Sequence, residues 1–143
     1  MSSKFSKKWL IKIASAFEIS KEKNRDGLPI LVEGKRDKEF LLELGFSGTI
    51  EVLNRGWSLE KLAIYLLEKN QVISENKKPI LSLLMDWDRT GEKLQKKLVQ
   101  IFSSMDEIVD ETLRNELIRT LNGRTKTVEG IRFILSELQE LMD

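Results

Sequence analysis

The sequence contains neither cysteine nor histidine. Their absence excludes disulfide bonds, thiolate nucleophiles, zinc sites of the Cys/His type and acid–base catalysis by imidazole. Catalysis would therefore have to use carboxylates, hydroxyls, lysine, arginine or the single tyrosine, Tyr65. A protein-bound metal would sit among oxygen ligands, which suit Mg²⁺, Mn²⁺ or Ca²⁺.

Long apolar segments are also missing. No run approaches the roughly 20 residues that a membrane-spanning helix needs, and the N-terminus shows no apolar region typical of a signal peptide. We therefore expect a cytoplasmic protein without a membrane partner. The 143 residues, 41% hydrophobic and 33% charged, favour one globular domain with its own core.

The net charge of +1 hides an uneven distribution. Residues 1–25 are basic and the remainder is acidic, which indicates either a contact with a polyanion or a solvated helix face. Apolar side chains recur at helical spacing from Lys4 to Ile19 and predict an amphipathic helix that docks on the rest of the protein.

Three short apolar runs, at residues 29–32, 49–53 and 80–85, are each followed by a loop and a helical pattern. This alternation predicts an α/β fold with a mainly parallel sheet flanked by helices. A weak run at Ile108-Val109 would make the sheet four-stranded. The expected organisation is an N-terminal helix and linker (1–28), an α/β core (29–111) and a C-terminal helical pair (112–143).

Carboxylates follow two of the predicted strands. Glu33 comes directly after the first strand, and Asp86 and Asp88 come after the third. Loops at the carboxyl ends of parallel strands meet at one sheet edge, so these side chains should converge and could share Mg²⁺ or its waters. Gly34 and Gly91 would allow close backbone approach. Taken singly, each motif also fits a plain structural reading, because Asp is a common helix N-cap.

The two motifs together resemble the Toprim domain. Its marks are Glu-Gly after the first strand, here Glu33-Gly34, and D-x-D followed by Gly, here Asp86-Trp87-Asp88-Arg89-Thr90-Gly91. This Rossmann-like domain occurs in topoisomerases, bacterial-type primases, overcoming-lysogenization-defect nucleases, recombination mediators and the ribonuclease that matures 5S ribosomal RNA. The form Val32-Glu33-Gly34-Lys35-x-Asp37 is closest to that ribonuclease. The whole chain, including Thr127-Val128-Glu129-Gly130, resembles small stand-alone archaeal Toprim proteins.

The resemblance implies roles for five residues. Glu33 would be the general acid or base and a metal ligand, Asp86 and Asp88 would coordinate Mg²⁺ or Mn²⁺, and Glu92 could bind a second metal or its waters. Arg89 would neutralise phosphate. These roles imply phosphoryl transfer on RNA or DNA, as in a nuclease of RNA processing or DNA repair.

Other residues are candidates for contact with the nucleic acid. Lys35, Arg36 and Arg55 could hold phosphates, although each is equally typical of a solvated surface. Trp57 and Trp87 could stack on a base or serve as packing residues. The chain lacks the large extra domains of the primase and ribonuclease relatives, so a protein partner would supply substrate selection.

Two other functions compete with a nuclease. Some Toprim proteins act as non-catalytic nucleic-acid-binding or assembly modules, which suits the small size and modest charge. The D-x-D-x-T pattern at residues 86–90 also fits haloacid-dehalogenase-like phosphatases, although that family places further catalytic strands downstream. Tyr65 lies in an amphipathic helical pattern and is expected in the core, which argues against a topoisomerase.

Overall fold

The structure is a computed structural model and describes residues 4–53, 56–70 and 78–142. The helices, in chain order, are α1 (Lys4–Arg25), α2 (Lys35–Glu43), α3 (Leu59–Lys69), α4 (Arg89–Ser104), α5 (Thr112–Leu121) and α6 (Leu135–Leu141), and a 3-10 helix, Glu129–Ile134, precedes α6. The strands are β1 (Ile30–Val32), β2 (Ile50–Val52) and β3 (Ser82–Leu84). The expected α/β class with a parallel sheet between helices is confirmed.

The sheet has the order β2-β1-β3, and both pairings are parallel. Each strand is shorter than its apolar run, but neighbouring residues continue the ladder, since Leu53 N–H donates to Val32 O at 2.8 Å and Ser82 N–H to Pro29 O at 2.8 Å. Because β1 is central, the residue that follows it lies between the ends of β2 and β3.

The predicted fourth strand is reduced to a single parallel bridge between Ser82 and Asp110. Asp110 N–H donates to Leu81 O at 2.8 Å, and Asp110 O accepts from Leu83 N–H at 2.9 Å. The Asp110 side chain accepts from the Thr112 N–H at 2.8 Å, where α5 begins. The chain thus turns into a helix before a fourth strand can extend, and the described sheet has three strands rather than four.

The strands divide the core into two layers because their side chains alternate between faces. Ile30, Val32 and Leu84 pack in one layer with α1, α2, α5, the 3-10 helix and α6. Leu31 and Leu83 pack in the other layer with α3 and α4.

The helices agree with their patterns to different degrees. Ser58, a residue type typical of helix N-caps, caps α3 by accepting from the Lys61 N–H at 3.1 Å. The first helix runs past Ile19 to Arg25, because Ser20 and Asn24 continue its buried face. Within the described ranges, no helix has the length and apolar character needed to cross a bilayer.

Candidate functional site at the carboxyl edge of the sheet

The carboxylates predicted at two strand ends do meet. Glu33 follows β1 and Asp86 lies two residues beyond β3, its neighbour in the sheet. The backbone N–H of Asp86 donates to Glu33 Oε1 at 3.0 Å. Both side chains are half-buried, so each can contact solvent or a ligand while its backbone is held by the sheet.

The D-x-D motif uses its three side chains differently. Asp86 Oδ1 accepts from the Val128 N–H at 2.8 Å, and Asp88 caps α4 by accepting from the Gly91 N–H at 2.7 Å. The Trp87 indole N–H donates to Thr125 O at 2.8 Å, and its ring packs in the layer that contains α1. Trp87 is therefore a packing residue in this structure.

The glycine of the second motif has a steric cause. A Cβ atom placed on Gly91 would lie 2.1 Å from the Asp86 carbonyl oxygen, which is fixed backbone. The first turn of α4 thus lies directly against the end of β3. Only glycine permits this approach, so the spacing from Asp86 to Gly91 reflects the geometry of the strand-to-helix turn.

Arg114 on α5 is a site residue that the sequence reasoning missed. Its side chain is only 5% exposed. Nε donates to Met85 O and Nη2 to Asp86 O, each at 2.9 Å, and Nη2 also pairs with Glu92. The predicted metal ligand Glu92 is thus paired with Arg114. The same guanidinium holds the backbone carbonyls of Met85 and Asp86.

Asp37 and the segment 125–129 also belong to the site, although the motifs that contain Asp37 and residues 127–130 were given no role there. Buried Asp37 accepts from the Gly34 N–H at 3.0 Å and from the Glu129 N–H at 3.1 Å. Asp37 and Asp86 therefore hold two successive backbone N–H groups, those of Glu129 and Val128. The C-terminal segment lies across the ends of β1 and β3 because both carboxylates hold it there.

The pKa values of Glu33 and Asp86 are both raised at this edge. Burial raises the pKa of Glu33, and the negative charges of Asp88 and Asp37 add to this effect against the Asp86 N–H and Arg114. Burial also raises the pKa of Asp86 to about 7, with repulsion from Glu33, Asp37 and Asp88, although the Val128 hydrogen bond opposes it. A raised pKa for Glu33 is in the direction that a base acting near neutral pH requires.

Three of the predicted phosphate contacts, Lys35, Arg36 and Arg89, lie around this edge. Lys35 and Arg89 are exposed first residues of α2 and α4. Arg36 is also exposed and pairs with Glu129 at 3.2 Å. Arg55 lies outside the described residues. The basic side chains that the structure describes can therefore meet a ligand from solvent at the N-termini of two helices.

The carboxylates of the cluster offer oxygen atoms to a metal ion. Within residues 4–53, 56–70 and 78–142, no three acidic side chains come close enough to enclose an ion. Glu33, Asp86 and Asp88 each use one oxygen on a backbone N–H, and their second oxygens accept no hydrogen bond from the described residues. Mg²⁺ commonly takes only one or two carboxylates and keeps several waters, so the donor set fits it.

The sheet and its acidic edge define an α/β protein with a cluster of carboxylates at its strand ends. Sequence comparison then places the chain in a family. A protein from Methanocaldococcus jannaschii is 34% identical over 103 residues, which are 72% of this chain and 74% of the relative. One from Pyrococcus furiosus is 36% identical over 102 residues, 71% of this chain and 70% of the relative.

A third relative, from Methanosarcina acetivorans, is 29% identical over 118 residues, 82% of this chain and 76% of the relative. All three are named as UPF0292 proteins, and this chain belongs to the UPF0292 family. That name assigns no activity. No protein-family model matches the sequence.

A solved structure of a protein from Aquifex aeolicus shares the architecture. It matches with a TM-score of 0.60 and 26% sequence identity over 80% of this chain and 94% of that chain. The fold is therefore found beyond the archaeal relatives named above, and almost the whole of the Aquifex protein is covered.

Proposed function

We propose that this chain is a Toprim-type protein that binds Mg²⁺ and carries out phosphoryl transfer on RNA or DNA, as a nuclease does. In this proposal the bridge at Asp110 is a reduced fourth strand of a Toprim sheet. The observation that carries the proposal is the hydrogen bond from the Asp86 N–H to Glu33 at 3.0 Å. It joins the two motifs through adjacent strand ends, as a shared site requires.

The electrostatics of the edge support a cation there. Repulsion from neighbouring carboxylates adds to the raised pKa of Glu33 and of Asp86, so a nearby positive ion would stabilise the ionised forms of both. Asp86 and Asp88 would hold Mg²⁺ through the oxygens not used on backbone N–H groups. When bound, the ion would polarise a phosphoryl oxygen and stabilise developing negative charge.

The chain's own groups then have distinct tasks. Glu33, whose pKa is raised by burial and by the neighbouring carboxylates, would give a proton to or take one from a reacting oxygen. Arg89, exposed at the first residue of α4, would contact the phosphate. Arg114 would keep Asp86 in place through its hydrogen bonds to the Met85 and Asp86 carbonyls.

One observation favours a non-catalytic binding or assembly module as a second candidate. The carboxylates of Glu33, Asp86 and Asp88 are all engaged by backbone N–H groups, and no three acids in the described ranges surround a metal position. These bonds would stabilise the edge even without chemistry. A protein partner would then provide the activity or select the substrate.

Cleavage assays on structured RNA and on single- and double-stranded DNA, with Mg²⁺ or Mn²⁺, test the proposal. We expect metal-dependent cleavage by the wild type and its loss in both Glu33→Gln and Asp86→Asn. Glu39→Gln, an exposed acid on the same helix as Asp37, is the matched control and should remain active.

Binding of Mn²⁺, followed by electron paramagnetic resonance, separates the two candidates. Metal binding that is lost in Asp86→Asn, without cleavage of any substrate, would favour the module or a partner-dependent enzyme. Absence of both metal binding and cleavage in the wild type would refute the proposed function.

A further inference from the structure

A pocket of about 370 Å³ opens beside Glu33 at the carboxyl edge of the sheet. Glu33, Leu53, Gly56, Trp57 and Leu59 line it. Glu33 follows β1 and Leu53 follows β2, so the pocket lies on the side of Glu33 away from Asp86. Its volume is at the lower end of the range for small-molecule sites, which suits a single ring system.

The wall of the pocket favours a flat, unsaturated ligand. Trp57 is 38% exposed, and the leucines on either side of it in the pocket provide further apolar surface. The Tyr65 ring meets the Trp57 ring edge to face, with centroids 5.4 Å apart and an interplanar angle of 73°. Contact with Tyr65 orients the indole without burying it.

A cation lies at the same place. The Lys61 ammonium is 4.8 Å from the centroid of the Trp57 ring, and Lys61 is exposed. An exposed cation–π contact favours this arrangement by only about two- to fivefold, whereas stacking of a base on an aromatic ring is worth about 5- to 150-fold. A base can therefore displace Lys61 from the ring. The Lys61 ammonium then becomes available to a phosphate.

From this geometry we propose that the Trp57 pocket binds one nucleobase of a single-stranded nucleic acid, stacked on Trp57, with Lys61 on an adjoining phosphate. The inference deepens the proposed function, because it rests on that function for the neighbouring site and names a single strand as its ligand. A strand entering here would carry its backbone past Glu33, while base-paired nucleotides would keep their faces stacked within the duplex.

The test compares short oligomers that carry bases with matched abasic oligomers of the same backbone, in ribose and deoxyribose forms. Affinities are measured by fluorescence anisotropy in the presence of a chelator, so that no metal is needed. We expect the wild type to prefer the base-containing oligomer by about 5- to 150-fold. Trp57→Leu should abolish this preference, and Trp57→Phe should retain most of it.

Phe133→Leu is the matched control. Phe133 is 54% exposed and stacks on Trp9, and it lies in the 3-10 helix rather than in the pocket. The control should keep the full preference for bases. Quenching of a fluorescent purine analogue within the oligomer, lost in Trp57→Leu, provides a second readout of stacking that does not depend on affinity.

Equal binding of base-containing and abasic oligomers by the wild type would overturn the inference. A preference that persists in Trp57→Leu would overturn it as well. Binding of Mn²⁺, measured separately, distinguishes this result from failure of the proposed function. A base preference without metal binding leaves the pocket established and refutes the metal site, and the reverse result refutes only the pocket.

Discussion

At the scale of single residues, the two motif glycines differ in how strictly their positions require glycine. Gly91 has no room for a side chain, because the Asp86 carbonyl oxygen would lie 2.1 Å from its Cβ. Gly34 has an extended backbone at φ −139°, and its Cβ would meet nothing closer than Asp37 Oδ2 at 3.6 Å. Sterically, the glycine of the first motif is therefore replaceable and that of the second is not.

Gly91→Ala should therefore lower the free energy of unfolding by about 1–3 kcal/mol, since either α4 or the end of β3 must move. Gly34→Ala is the matched control and should change the free energy by less than about 1 kcal/mol, in either direction. Urea denaturation of both variants checks this prediction. Equal losses in the two would show that the close contact at Gly91 is not limiting.

A second residue-scale prediction concerns Asp86 in the metal-free protein. Its pKa rises from 3.8 to about 7 on folding. The folded state therefore holds this proton more tightly than the unfolded state. The corresponding contribution to stability is complete below pH 3.8, declines as the pH rises, and is lost above about pH 7.

Asp86→Asn removes this decline while Asn Oδ1 can still accept from the Val128 N–H. With a chelator present, we expect the variant to melt at a higher temperature than the wild type, by a margin that grows as the pH passes from 3.8 to beyond about 7. Glu137→Gln, an exposed position on α6, should show no such pH-dependent gain. A constant difference between Asp86→Asn and wild type across that range would contradict the prediction.

At the scale of elements, α5 is attached to the site through one buried guanidinium. Arg114 donates to the Met85 and Asp86 carbonyls and pairs with Glu92, so it links α5, the end of β3 and α4. Lysine keeps the charge but lacks the planar fork that reaches several acceptors at once. Arg114→Lys would leave at least one of these groups without its partner.

We expect Arg114→Lys to lower the free energy of unfolding by about 2–4 kcal/mol, because the network is buried. Arg119→Lys on the same helix is the control, since its side chain is 75% exposed and pairs with Glu116 within α5. That change should cost less than about 0.5 kcal/mol. Chemical denaturation of the two variants measures the difference, and similar values would argue against a structural role for the buried fork.

At this scale, the sequence predicts features that depend on nearby residues or on the order of the strands. Ser58 could be recognised as a helix cap because its partner, Lys61, is three residues away. The meeting of Glu33 and Asp86 could also be foreseen, since parallel strands bring their carboxyl ends to one edge. Both are consequences of local pattern and connectivity.

Contacts between distant segments were not predictable in this way. Arg114 falls on the buried face of α5 with Leu117 and Leu121, which marks the face but not its acceptors on β3. The Val128 N–H reaches Asp86 across 42 positions, and no local signal names that partner. The run at Ile108-Val109 was overestimated as a strand because its apolar pattern does not show that α5 begins just beyond it.

At the scale of the whole molecule, one face of the sheet depends on both ends of the chain. More than half of the buried residues in the layer around Ile30 and Val32 come from outside residues 29–111. They include Phe17 of α1, whose ring meets Phe40 and Phe46 edge to face, with centroids 5.9 and 6.4 Å away. The α/β segment therefore obtains much of its core from its N- and C-terminal helices.

A fragment of residues 29–111 should accordingly fail to fold cooperatively, although it contains all three strands and both motifs. Losing the buried partners on one face would expose Ile30, Val32, Phe40 and Leu84 to water, at a cost of about 1.5–3 kcal/mol for each fully uncovered side chain. A total of that size is comparable to the stability of a whole domain. We expect the full chain to melt in one sharp transition and the fragment to show none by circular dichroism. A cooperative melt of the fragment would mean that α1 and the C-terminal helices are additions to an independent core rather than half of it.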